Sequence, residues 1–168
     1  MIISNIILGE NIDIDLTATI NNVKIGDNVK IRKYATVFGA PSHPTIIGSA
    51  TKINTFSILN GFDAQLVIGE RCGIGQRVHI MTGTGPSPSP RLQKIFPIIK
   101  EPVTIGNDCW IGSDSIIAPK VTLGDFCIVA ANSFVNKSFP AYSIIGGNPA
   151  KLIRTFTDEE IKKINEDD

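Results

Sequence analysis

His43 and His79 are the two histidines of the chain, and imidazole is the side chain whose ordinary pKa lets it exchange a proton near neutrality. Either would suit the removal of a proton from an attacking hydroxyl or amine. Asp63, between them in the chain, could orient such a base or replace it. His43 lies in a Pro-Ser-His-Pro stretch of turn composition, whereas His79 closes a six-residue unit and should point outward beside a long loop. The competing reading of both is an exposed histidine without chemistry. Cys72, Cys109 and Cys127 have neither CxxC nor metal-ligand spacing, and their odd number argues against a disulfide framework. They read as buried thiols, and no metal site is expected. Lys137, Lys151 and Arg154 carry positive charge near the C-terminal end, which by itself describes a solvated basic tail. Trp110, by itself, reads as an aromatic ledge.

The elements that must position these groups follow from a repeat. Aliphatic residues recur every sixth position at Leu8, Ile14, Ile20; Ile25, Ile31, Val37; Ile47, Ile53, Leu59; Ile68, Ile74, Ile80; Ile105, Ile111, Ile117; Leu123, Val129, Val135. A strict period of six fits neither a 3.6-residue helix nor a simple alternating strand; it fits a short strand plus a corner, repeated around a triangular prism. Three hexads close one coil, so the eighteen anchors predict about six coils of a parallel β-helix, an all-β fold. Gly often follows the anchor, as at Gly48, Gly69 and Gly106, where close backbone approach is expected. The fifth position is small or apolar, and all three cysteines fall there.

The register slips at Ile20 to Ile25, Val37 to Ile47, Leu59 to Ile68 and Ile80 to Ile105, and counting in threes places all four slips at one corner. Loops gathered on one edge of a rigid scaffold are where binding and catalysis concentrate, so this edge is the predicted site. Residues 1–142 are expected to form the β-helix, with a protruding Pro- and Ser-rich loop at about 81–104. Residues 143–168 should form a turn-rich exit followed by a short α-helix to about Asn165, started by the capping box Thr157-Asp158-Glu159-Glu160.

Composition excludes several classes of function. Sixteen basic residues balance sixteen acidic ones in 168, so no overall field recruits nucleic acid or an anionic membrane, and an anionic ligand would need a local cluster. The apolar N-terminus lacks the basic start and cleavage site of a signal peptide, and no run is long enough to span a membrane. A cytoplasmic protein without membrane insertion is expected.

The segment from Ile68 to Arg154, above all PVTIGNDCWIGSDSIIAPKVTLGD, VAANSFVNKSFP and IIGGNPAKLIR, resembles the left-handed β-helix acyltransferase superfamily, specifically its sugar and polysaccharide O-acetyltransferases of the maltose and galactoside acetyltransferase type. The resemblance, and not the period, implies a left-handed coil. It implies a homotrimer with acetyl-CoA as co-substrate between two subunits, the pantetheine arm passing Gly112, Ser113, Ala130 and Ala131, with Trp110 beside the acetyl group. Lys137, Lys151 and Arg154 would then meet the phosphates or the adenine end. The family's general base is a histidine in a T-G-x-H or G-H-P context; the aligned stretch here is Thr82-Gly83-Thr84-Gly85-Pro86, with Gly85 at the histidine position. The role would fall to His79, His43 or Asp63, or an amine acceptor would need less help. Arg91, with Gln93 and Lys94, would then touch a sugar, amino-sugar or nucleotide-sugar acceptor. The expectation is CoA-dependent transfer of acetyl to a hydroxyl or amine. Its rivals are an acetyl-CoA-binding pseudoenzyme or scaffold, and a purely structural β-solenoid.

Overall fold

The computed structural model describes residues 2–166. Its strands run parallel from coil to coil along three faces. One face stacks Val23–Ile25 of the strand Thr19–Ile25 on Thr45–Ile47, Leu66–Ile68, Val103–Ile105 and Thr122–Leu123. A second stacks Asp13–Ile14, Lys30–Ile31, Lys52–Ile53, Gly73–Ile74, Trp110–Ile111, Ile128–Val129 and Ser143–Gly147. The third stacks the beginning of Thr19–Ile25 on Thr36–Gly39, Ile58–Gly61, His79–Met81, Ile116–Ile117 and Phe134–Val135.

Anchors from Ile20 to Val135 fall inside, with Ile31, Ile53, Ile74 and Ile111 all at 0% exposure, stacked one above another. Leu8 keeps the register, pairing with Ile25, yet is 51% exposed, because among the described residues no coil lies beneath it. The fifth positions line the interior near the corners. Where they are polar they are satisfied: Thr51 and Ser57 donate to the carbonyls of Gly69 (2.8 Å) and Gly75 (2.7 Å) in the following coil. The cysteines do the same. Cys72, Cys109 and Cys127 are buried free thiols donating to the carbonyls of Gly106 (3.0 Å), Gly124 (3.2 Å) and Pro140 (3.2 Å).

The glycine after an anchor serves close approach. A Cβ on Gly48 would lie 2.5 Å from the Gly69 carbonyl carbon, nearer than side chains are found. The sharp turn is taken two residues later, in the left-handed conformation, by Asn28, Ala50, Arg71, Asp108 and Phe126. These side chains then meet in ladders up the corner: Arg71 grips Asp108 with two 2.8 Å bonds, and Phe126 stacks on Tyr142.

Two expectations are revised. The first slip, Ile20 to Ile25, carries no loop: Thr19–Ile25 is one strand that bends through the corner. The turn-rich exit is confined to a few residues. Ser143–Gly147 adds in parallel to Ile128–Val129 and turns back in a hairpin with Ala150–Thr155, because Ile145, buried under Val129, acts as one more anchor. Phe139 likewise sits under Leu123. The capping box forms as read: Thr157 Oγ1 accepts the Glu160 amide (3.2 Å), Glu160 accepts the Thr157 amide (2.8 Å), and a helix runs Asp158–Asn165.

Candidate active site

Three chain excursions at the corner between the third face and the first are tied into one body. The shortest, Ala40-Pro41-Ser42-His43, closes on itself through the amide of His43 donating to the Ala40 carbonyl (3.1 Å) and the return bond (3.4 Å). In it the ring of His43 is held at both nitrogens, Nδ1 lying 2.9 Å from Ser42 Oγ and Nε2 3.0 Å from the Phe62 carbonyl in the next excursion. Asn60 shapes that second turn by accepting the Phe62 amide (3.0 Å). Thr82, fully buried, joins it to the third by donating to the Asn60 carbonyl (3.1 Å) and accepting the Ala64 amide (3.2 Å).

The third excursion is the long loop. Gly83–Thr84 and Ile99–Lys100 pair antiparallel as its stem, and Pro90–Gln93 forms one helical turn capped by Ser89. Asp63 lies across Gly83, where any Cβ would collide with its carboxylate, and binds Lys100 at 3.1 Å. Asp63, Gly83, Thr84, Gly85, Ser87, Ile98 and Lys100 enclose a cavity of about 180 Å³. One coil further along this edge, Ile99, Pro119, Lys120, Asn136, Lys137 and Ser138 line a cavity of about 410 Å³. A third cavity, of about 420 Å³, lies at another corner beside Arg71 and Asp108, whose charges are already closed on each other.

Gly85 lines the first cavity at φ +150°, and a Cβ there would stand 2.8 Å from Ile98 Cα. A histidine at this position is therefore disfavoured by backbone conformation and by space together, so Gly85→His does not supply the base that the resemblance would place here. His79 lies apart, on the third face between Ile58 and Ile116, half-buried, and burial holds its pKa below the ordinary 6.5. This carries a testable sign. As pH falls through about 6.5 the unfolded chain takes the proton first, so stability contributed by neutral His79 is lost toward acid. Urea midpoints should fall across that window in the wild type and fall less in His79→Gln; equal slopes would refute the burial.

The residues expected along the coenzyme lie elsewhere. Trp110, 60% exposed, stands on the second face over the bare backbone of Gly73, and Ser113, Ala130 and Ala131 occupy the corner between the second face and the third. Gly112 is at this corner for stacking: its Cβ would meet the Ala131 amide at 2.5 Å, inside the coil interface. Lys151 is exposed on the terminal hairpin. Arg154 pairs within its own segment at the surface. Glu160 takes its guanidinium in two bonds (2.7 and 2.9 Å), which pulls the Glu160 carboxyl down to about 2. Lys137 belongs with the loop edge, its ammonium over the Phe139 ring.

The candidates thus fall on two edges separated by the width of a face, on the order of 20 Å for six residues of strand. One edge holds His43, Asp63, Gly85, Arg91 and Lys137; the other holds Trp110, Ser113, Ala130, Ala131 and Lys151. Lys100, Ser42 and the Phe62 carbonyl went unread in the sequence. The Pro-Ser-His-Pro stretch contained the signal for Ser42, while the other two depend on which loops meet.

Residues 102–137, two full coils, match the six-repeat bacterial transferase hexapeptide pattern. A probable macrolide acetyltransferase of Lysinibacillus sphaericus is 40% identical over 116 residues, covering 58% of this chain and 64% of that protein. Galactoside O-acetyltransferase of Escherichia coli is 35% identical over 98 residues, covering 58% of this chain and 48% of that one. The chain therefore matches about half to two thirds of these relatives' lengths. Among solved structures, the N-acyltransferase AntD from Bacillus cereus, in complex with dTDP and 3-hydroxybutyryl-CoA, superposes with a TM-score of 0.80 at 23% identity, covering 96% of this chain and 88% of that one. That likeness is one of fold, and the prism is a left-handed β-helix as the resemblance implied. Repeat, matching coils and superposition agree: the chain is a hexapeptide-repeat β-helix, similar over residues 102–137 to the bacterial transferase hexapeptide family.

Proposed function

We propose that the chain is a CoA-dependent acyltransferase, moving acetyl from acetyl-CoA to a hydroxyl or amine of a sugar, amino sugar or nucleotide sugar, as a cytoplasmic homotrimer. The observation that carries this reading is the division of the candidate residues between two edges of one prism. Neither edge is a complete site. A threefold assembly sets the loop edge of one copy against the Trp110 edge of the next and completes three sites at once.

In this reading the exposed indole of Trp110 and the small residues Ser113, Ala130 and Ala131 flank the thioester arm, and Lys151 meets its phosphates. The acceptor occupies the loop edge, where Asp63 and Lys100 offer a carboxylate and an ammonium to hydroxyl or amine groups. His43 is the general base. The Phe62 carbonyl can only accept, so Nε2 carries the proton and, in the neutral ring, Nδ1 offers its lone pair. His79 has no part in this body of loops.

The pseudoenzyme reading draws on a specific observation too: Gly85, which the resemblance sets at the histidine position, has a conformation and a space closed to a side chain. Calorimetric titration with acetyl-CoA, followed by a thiol-release screen over sugars, amino sugars and nucleotide sugars, separates the two. Binding with acceptor-dependent thiol is expected; binding without it leaves the pseudoenzyme, and no binding leaves a scaffold. Sedimentation should return three chains, and a one-chain mass at micromolar concentration would remove the shared site.

A further inference from the structure

We propose that Ser42 is an acyl-accepting nucleophile: its hydroxyl, the His43 ring and the Phe62 carbonyl form a relay in which the serine takes an acyl group from a thioester or other activated ester.

The geometry has the three parts that activated nucleophiles share: a hydroxyl within hydrogen-bond reach of a base, and the base oriented by a third group. Ser42 Oγ is 2.9 Å from Nδ1, and Nε2 is 3.0 Å from the Phe62 oxygen. Since a carbonyl oxygen has no proton to give, Nε2 must be the N–H, which leaves Nδ1 of the neutral ring to accept from the serine. The polarity of the relay runs from hydroxyl to imidazole.

Turn serines commonly spend their hydroxyl on nearby backbone. Here the hydroxyl is on the ring instead, and the neighbouring Thr45 is spent on the Phe38 carbonyl at 3.0 Å. The pair is also held rigidly. Pro41 and Pro44 fix φ on both sides, the turn is closed by reciprocal Ala40–His43 bonds, and Gln65 grips the Pro44 carbonyl (2.8 Å) from the next excursion. Ser42 is exposed while His43 is half-buried, so an ester can reach the oxygen.

In the step itself Ser42 Oγ attacks the acyl carbonyl as its proton passes to Nδ1. The oxygen–carbon bond forms, the carbon–sulfur bond breaks, and the thiolate leaves with its electron pair and takes the proton from the imidazolium. A seryl ester and a free thiol remain. Water or an acceptor hydroxyl or amine then attacks the ester by the same sequence in reverse, restoring Ser42. The proposal rests on the acyl-CoA reading only for the identity of the donor.

The test exposes the full chain to acetyl-CoA and, separately, to p-nitrophenyl acetate, following released thiol or nitrophenolate and mapping acetylated peptides by mass spectrometry. The expected result is an acetyl group on the Ser42 peptide, or catalytic release where the ester turns over, with Ser42→Ala and His43→Asn each slower by ~10²-fold or more. Labelling of Ser42 by the nitrophenyl ester but not by acetyl-CoA supports the nucleophile and counts against the CoA reading. Acetylation of lysines or cysteines with Ser42 unlabelled, or release from Ser42→Ala at the wild-type rate, overturns the proposal. If acceptor-dependent thiol release from acetyl-CoA persists in Ser42→Ala, the function stands and transfer is direct.

Discussion

His43→Asn lowers acceptor-dependent thiol release by ~10²–10⁴-fold, the usual worth of a positioned general base. Asparagine places its amide where Nδ1 was and gives up the 3.0 Å bond of Nε2 to the Phe62 carbonyl, but the two neighbouring excursions stay joined through Gln65 and the Pro44 carbonyl (2.8 Å). What disappears is the basic nitrogen. The loss should therefore appear in kcat, with acetyl-CoA affinity by calorimetry unchanged, since the residues proposed for the coenzyme lie on the other edge. The pH profile tells hydroxyl from amine acceptors. A hydroxyl needs the base at every accessible pH, whereas an amine loses its own proton to solvent as pH rises, and the deficit of the variant then shrinks. A wild-type kcat in His43→Asn, with loss at His79→Asn instead, would move the role to the third face.

Ile74→Ala costs ~2–5 kcal/mol of stability, the range for truncating a fully buried aliphatic side chain. Ile74 is at 0% exposure between Ile53 and Ile111, so its removal opens both the coil interface above and the one below. In a stacked repeat each coil touches only its neighbours, and no distant element can collapse into the gap. Leu8→Ala is the internal control: it holds the same place in the repeat, but at 51% exposure it should shift stability by only about 0.5 kcal/mol. Denaturant midpoints with a common slope measure both. Equal costs at the two positions would show that the repeat pattern, and not burial in the stack, sets the energetics.

Much of this protein was legible in one dimension because its structural unit is short. Six residues contain one rung and one corner, so the aliphatic anchors, the small fifth positions and the place of the cysteines announce the interior directly, and Cys72, Cys109 and Cys127 are buried as the pattern required. The capping box at Thr157 was equally local, four residues that satisfy one another. Counting hexads in threes even located the edge where the loops gather.

What the period does not encode is which side chains meet across coils, because those partners are 16 to 37 residues apart and their spacing depends on loop length. Arg154 reads as free for a phosphate until Glu160 is seen to close on it. Gly112 reads as room for a ligand, and is room for the next coil. Gly85 is a glycine in the sequence, but only its φ of +150° and the nearness of Ile98 show that the backbone there is closed to a larger side chain. The two histidines show the limit most plainly. Residue type makes them equals, and only the tertiary structure separates them: His79 is set between two isoleucines on a strand, while His43 is turned by the carbonyl of Phe62, nineteen residues away, toward its own neighbour Ser42.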